Sequence, residues 1–150
     1  MTRPMLPTGA LPAGEVVESD ATLELEPLPH LVSRARRFVA EHIPALPPDS
    51  RAAVLLLTSE LVTNGMIHAR TPLVLGVVVS AASVVITVHD LDLDLAWADR
   101  VSPERDGGRG LMLVRALAEA SALERLPTGG KTAWFRISRP VQAPNEGAAP

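Results

Sequence analysis

Cysteine is absent from the chain. That excludes a disulfide framework and any thiolate metal site, and it fits a reducing cytoplasm. Lysine is almost absent as well, because Lys131 is the sole one and every other cationic side chain is arginine. Such a bias can simply reflect a GC-rich genome and says nothing about mechanism, but it draws attention to the exception. Positive charge is not in excess: the formal net charge is -3 and the isoelectric point about 5.8. Phosphate backbones and anionic membranes demand clustered positive charge, so neither is expected as a direct partner. Long hydrophobic runs are missing too. The longest, Leu73 to Val79, is far too short to span a bilayer, and the opening MTRPMLPTGALPAGE has no apolar core of signal-peptide length. A soluble cytoplasmic protein is therefore expected.

What is present suffices for one ordinary domain. A chain of 150 residues, 47% of them hydrophobic, can bury about two-thirds of its unfolded surface around one core. Residues 1–19 and 141–150 are rich in Pro, Gly and Ala without periodicity and are expected to be disordered tails, leaving a domain over 20–140.

Within that domain Thr22 to Glu26 alternates apolar and polar residues and predicts a short strand, closed by Pro27 and Pro29. Leu31 to Ile43 predicts an amphipathic helix with Leu31, Ala35, Phe38, Val39 and His42 inward and Arg34, Arg36, Arg37 and Glu41 solvated. Asp49 or Ser50 can cap a second helix, which Thr71-Pro72 ends. Leu73 to Val79 and Val84 to His89 are Val-rich strands that most simply pair as an antiparallel hairpin, with Asp90 at the end of the second. Residues 91–106 form a long acidic connection of the length usual for a functional lid. Gly107-Gly108-Arg109-Gly110 opens a third helix, expected from Leu111 to about Leu123, and a Gly-rich turn leads into a last strand over Lys131 to Ser138. This order predicts an α+β two-layer sandwich, with helices on one face of a mixed, largely antiparallel sheet.

The second helix carries the least ordinary pattern. In AAVLLLTSELVTNGMIHA, Glu60, Asn64 and His68 are spaced i, i+4, i+8 on one face, while Val54, Leu55, Leu57, Leu61, Val62 and Met66 occupy most of the rest. An unpaired buried amide costs roughly 2–7 kcal/mol, so Glu60 and Asn64 need protein, water or ligand partners. An internal hydrogen-bonded network or a half-exposed helix would meet that need without any function. Asn64-Gly65 is also a common hairpin dipeptide, but Val62 and Met66 keep helical spacing across it.

Other motifs exclude more than they assign. Gly108-x-Gly110 at a helix start is a plausible anion site, although Gly-rich turns before helices are common. Gly129-Gly130-Lys131-Thr132 imitates the end of a Walker A loop, but the required first glycine falls on Arg125 and a strand follows. No dinucleotide-binding glycine fingerprint, nucleophile elbow or HExxH helix is present, and Asp90, Asp92 and Asp94 lack the glycine and distal glutamate of a calcium loop. The four histidines, His30, His42, His68 and His89, have no ligand spacing, and Trp97 and Trp134 are expected to be packing residues.

The combination is more specific than its parts. A Glu-x-x-x-Asn pair inside a helix, an Asp ending a hairpin strand, a lid, a Gly-Arg-Gly-Leu helix start and a Gly-rich turn into a final strand together resemble the GHKL ATPase family and its Bergerat fold. The wording SELVTNGMIHA, GGRGLMLVRALAEA and GGKTAWF looks most like the anti-sigma-factor serine/threonine kinases of the RsbW and SpoIIAB type, over about residues 20–140. The resemblance implies ATP and Mg²⁺ as ligands, with Asn64 as the metal ligand and Glu60 as the general base. It implies Asp90 on the adenine amino group, Gly108, Arg109, Gly110 and Leu111 along the phosphates, and Lys131 with Thr132 bordering the pocket. A sigma factor and its antagonist protein become the implied partners, and dimerisation is common in the family. One departure stands out: the family's Asp-x-Gly reads Asp90-Leu91-Asp92 here. Bulk and negative charge beside a polyanion predict weakened nucleotide binding or a reshaped lid, and they open an alternative in which a degenerate module regulates a protein partner without phosphoryl transfer.

Overall fold

The computed structural model describes residues 3–4, 6–68, 71–91, 108–127 and 129–140. Strand β1 (Val17–Leu25) leads through a short 3-10 turn at Pro29–Leu31 into α1 (Val32–His42) and α2 (Pro48–His68). The hairpin β2 (Leu73–Ser80) and β3 (Ser83–Asp90) follows, then α3 (Gly108–Leu117), β4 (Ala120–Arg125) and β5 (Lys131–Ser138). The strands form one five-stranded sheet in the order β1-β2-β3-β5-β4. Each neighbouring pair is antiparallel, so the expected α+β sandwich stands with an antiparallel rather than a mixed sheet.

Alternation along the strands sorts their side chains onto two faces. Leu25, Leu75, Val77, Val84, Ile86, Val88, Phe135 and Ile137 join Ala35, Val39, Val54, Leu57, Leu61, Val62 and Val114 of the helices in the main core. Val78, Val85 and Trp134 point the other way and pack with Ala10. The N-terminal segment, expected to be disordered, thus supplies a fully buried alanine to the back of the sheet. Arg136 holds it by donating from Nη1 to the carbonyls of Gly9 at 3.2 Å and Ala10 at 2.9 Å. Residues 141–150 lie outside the described residues.

Three element boundaries differ from expectation. β1 begins at Val17 instead of Thr22; its first four residues are exposed, so no burial pattern marks them, and the ladder to β2 alone extends the strand. Helix α2 starts at Pro48, whose missing N–H suits the first helical position, and Asp49 and Ser50 fall inside the first turn. The third helix stops at Leu117, and 120–125 becomes β4. There the helix propensity of Ala120 and Ala122 yields to the backbone ladder with β5, in which small side chains let the strand lie beside Trp134.

Asn64 and Gly65 lie within the helix, not in a turn. A methyl group on Gly65 would come within 3.2 Å of Leu73 and 3.4 Å of Val88. Glycine here seats the C-terminal part of α2 directly on the strands. His42, expected inward, is exposed; its Nδ1 lies 2.8 Å from the Phe38 carbonyl.

Candidate functional site

Three strand termini meet at one end of the sheet. The register pairs Val74 with His89, His89 with Thr132, and Asp90 with Lys131. By alternation from Val88 and Ala133, Asp90 and Lys131 project on the helix face, whereas His89 and Thr132 project on the back with Trp134.

The front pair is ionic and closed from water. Lys131 Nζ donates to Asp90 Oδ1 at 3.1 Å, with 2% and 5% of the two side chains exposed. Removing one member of such a pair leaves the other charge buried, at a cost of about 3–5 kcal/mol. Its geometry depends on Gly130, which has a φ of 78° and whose added methyl group would overlap the Asp90 carbonyl. Only glycine adopts that left-handed conformation freely while letting the start of β5 close on the end of β3.

The back pair is neutral. His89 Nδ1 lies 3.0 Å from Thr132 Oγ1. Burial pushes the His89 pKa below its ordinary value of 6.5, opposed by the nearby Asp90 charge and by a hydrogen bond with the Lys131 backbone. Sequence reasoning treated His89 as an ordinary structural residue and missed its place beside the site. The hint available was its position next to Asp90 at a strand end.

Above the front pair lies the last part of α2. Gly65 touches Val88, and Asp90 follows Val88 by two residues on the same face, so this part of the helix stands over the sheet end. Asn64 is 3% exposed, and its Nδ2 finds no hydrogen-bond partner among the described residues. An orphaned buried amide costs about 1–3 kcal/mol, and the internal network considered above does not satisfy this one. One turn earlier Glu60 is only half-buried and reachable from solvent. Helix α3 packs against α2 and begins at Gly108, so Gly108, Arg109, Gly110 and Leu111 form its first residues. A helix start turns unpaired N–H groups outward, as an anion requires. The side chains of Arg109 and Leu111, the His68 side chain, and all but Leu91 of the expected lid over residues 91–106 lie outside the described residues.

These groups suit a nucleotide with its metal in kind. Asn64 carries a buried carboxamide, whose oxygen is a hard ligand in kind; Asp90 carries acceptor oxygens, and the start of α3 carries backbone donors. Among the described residues no three His, Asp or Glu side chains converge on a metal position, and no helix is long and apolar enough to cross a membrane. The family model of the histidine kinase-like ATPase domain matches residues 25–137, from the last residue of β1 to the penultimate residue of β5. No curated protein matches the chain.

Proposed function

The chain belongs to the histidine kinase-like ATPase domain family, and from that membership we propose that it is an ATP-Mg-dependent serine/threonine protein kinase. Its acceptor would be a small antagonist protein, and its second partner a sigma factor that it sequesters. The observation that carries the catalytic part is the buried Asn64, whose amide Nδ2 has no partner among the described residues, one helical turn from the half-exposed Glu60. The resemblance of SELVTNGMIHA and GGRGLMLVRALAEA to the anti-sigma kinases supports the choice of partners.

ATP with magnesium would supply the transferable phosphoryl group. Asn64 would hold the metal through its carboxamide oxygen, the kind of hard ligand magnesium prefers. Glu60 would face the acceptor hydroxyl and take its proton. Asp90 would accept from the adenine amino group, the helix start from Gly108 to Leu111 would face the phosphates, and Lys131 and Thr132 would border the base.

Asp92, in the motif position usually held by glycine, favours a second reading: a regulatory module that binds a protein partner without phosphoryl transfer. Calorimetric titration of the full chain with ATP, with and without magnesium, comes first, on wild type and Asn64→Ala. The kinase reading expects magnesium-dependent binding that the substitution removes, followed by phosphate transfer to the antagonist that Glu60→Ala abolishes. Normal ATP binding without transfer to any antagonist would leave the regulatory module standing and sink the kinase.

A further inference from the structure

The N-terminal strap, Arg3 to Ala13, lies against the back of the sheet, outside the span that the family model matches. Its seat is built into successive rows of back-facing residues. Pro4 sits over Gly76, where an added methyl group would come within 2.8 Å of the Pro4 Cβ and overlap the Thr87 hydroxyl. Glycine weakens a strand interior, so its presence here marks a close approach. One row along, Ala10 packs on Val78, Val85 and Trp134, and Arg136 donates to the Gly9 and Ala10 carbonyls. Glu15 fixes the root of the strap by accepting from Ser80 and Ser83.

The seat is specific, yet the strap is lightly held. Among its described residues only Pro7 and Ala10 are buried, and both are small. Leu6 is exposed and, with Pro4, Val17 and Val78, borders an open cleft of about 450 Å³ instead of packing. Trp134 beneath the strap is 5% exposed, and its indole Nε1 has no partner among the described residues, so docking strands a donor that water would satisfy. Ordering the strap costs conformational entropy at every residue, which two small buried side chains hardly offset. A hinge stands at its base: the Glu15 N–H donates to the Pro12 carbonyl at 3.3 Å, and Gly14 has a φ of 88°. Glycine rotates freely there, so the strap can swing away while Glu15 and β1 stay in place.

We propose that the back of the sheet is a docking groove for this strap, filled in cis within one chain and in trans by the strap of a second copy. Gly76, Trp134 and Arg136, which form the seat, all belong to the sheet, so the contacts are the same whichever chain supplies the strap. Reciprocal exchange closes at two chains, because each copy offers one strap and one groove.

The test uses the full chain carrying Trp97→Phe, which leaves Trp134 as the sole tryptophan in a chain without tyrosine. Ala10→Asp puts a charge at a fully buried position of the strap and leaves the groove intact, so acrylamide quenching of Trp134 should rise several-fold. A synthetic peptide of residues 1–13 should return the quenching to its original level, and should fail to do so on Ala10→Asp/Gly76→Ala, whose groove is narrowed. Arg136→Gln loosens the strap from the sheet side and should raise quenching by itself, so the test survives if the aspartate variant does not fold. In sedimentation velocity the wild type should pass from monomer to dimer as concentration rises, and Ala10→Asp should remain monomeric. Trp134 that stays shielded in both strap-loosening variants overturns the proposal, as does a peptide that restores no shielding or restores it despite Gly76→Ala. A wild type that never dimerises, or a dimer that Ala10→Asp leaves intact, overturns the exchange between copies.

Discussion

Strand β3 has two polar ends that solve the same problem differently. At its start, Ser83 N–H donates to Ser80 Oγ at 3.1 Å, and both serine hydroxyls donate to Glu15 of the N-terminal segment, at 2.9 Å from Ser80 and 3.2 Å from Ser83. Every one of these groups is answered, and the acceptor is a half-buried carboxylate. At the other end an ion pair is buried, burial lowers a histidine's pKa, and the nitrogen of an amide nearby has no partner among the described residues. The first arrangement is what stability alone requires. The second carries desolvation penalties that a chain selected only for stability would avoid, and this contrast distinguishes the end of the strand that holds the candidate site.

The comparison breaks most visibly if the ion pair is opened. Asp90→Ala removes the carboxylate paired with the buried Lys131 ammonium and is expected to lower the unfolding free energy by about 3–5 kcal/mol in urea titrations, whereas Ser83→Ala at the opposite end should lose about 1 kcal/mol. Similar losses at both ends would remove the distinction. Gly130→Ala forces a side chain into the left-handed region and against the Asp90 carbonyl; about 1–3 kcal/mol should be lost, with weaker ATP binding because the pair is misplaced.

Asn64→Leu sharpens the contrast from the other side. Replacing an orphaned amide by an apolar group of similar size should leave stability unchanged or raise it by about 1 kcal/mol, while magnesium-dependent ATP binding disappears. A large loss of stability would show that Asn64 is a structural residue. The smallest effect concerns His89. Its folded pKa lies below 6.5, so the unfolded chain binds more protons between the two values. The stability tied to the neutral ring is therefore complete above pH 6.5 and drains away as pH falls toward the folded pKa. Denaturation midpoints measured down that range should fall more steeply for the wild type than for His89→Gln; parallel curves would contradict the buried neutral ring.

Much of this was legible in the residues. The bounds of α1 came within one residue at each end, because Ala35 and Val39 repeat at helical spacing and face the core. The hairpin was readable from two Val-rich runs flanking small residues, and the last strand from the Gly-Gly turn before Lys131. Strand β4 was not readable: its small residues make a helical continuation from Leu117 as plausible locally, and only the ladder with β5 decides between them. The N-terminal segment gave no signal either, since Ala10 becomes a core residue only once Val78, Val85 and Trp134 form a surface for it.

The candidate site divides along the same line. Local order and spacing by themselves determined the family, the α+β class, and the helix that carries Glu60 and Asn64, because helical period and strand alternation are properties of near neighbours. The meeting of Asp90 with Lys131, 41 residues apart, the pairing of His89 with Thr132, and the orphaning of the Asn64 amide were decided by the tertiary structure alone. They depend on which strands become neighbours, in what register, and which polar atoms burial leaves without water, and none of these is a property of any short stretch of chain.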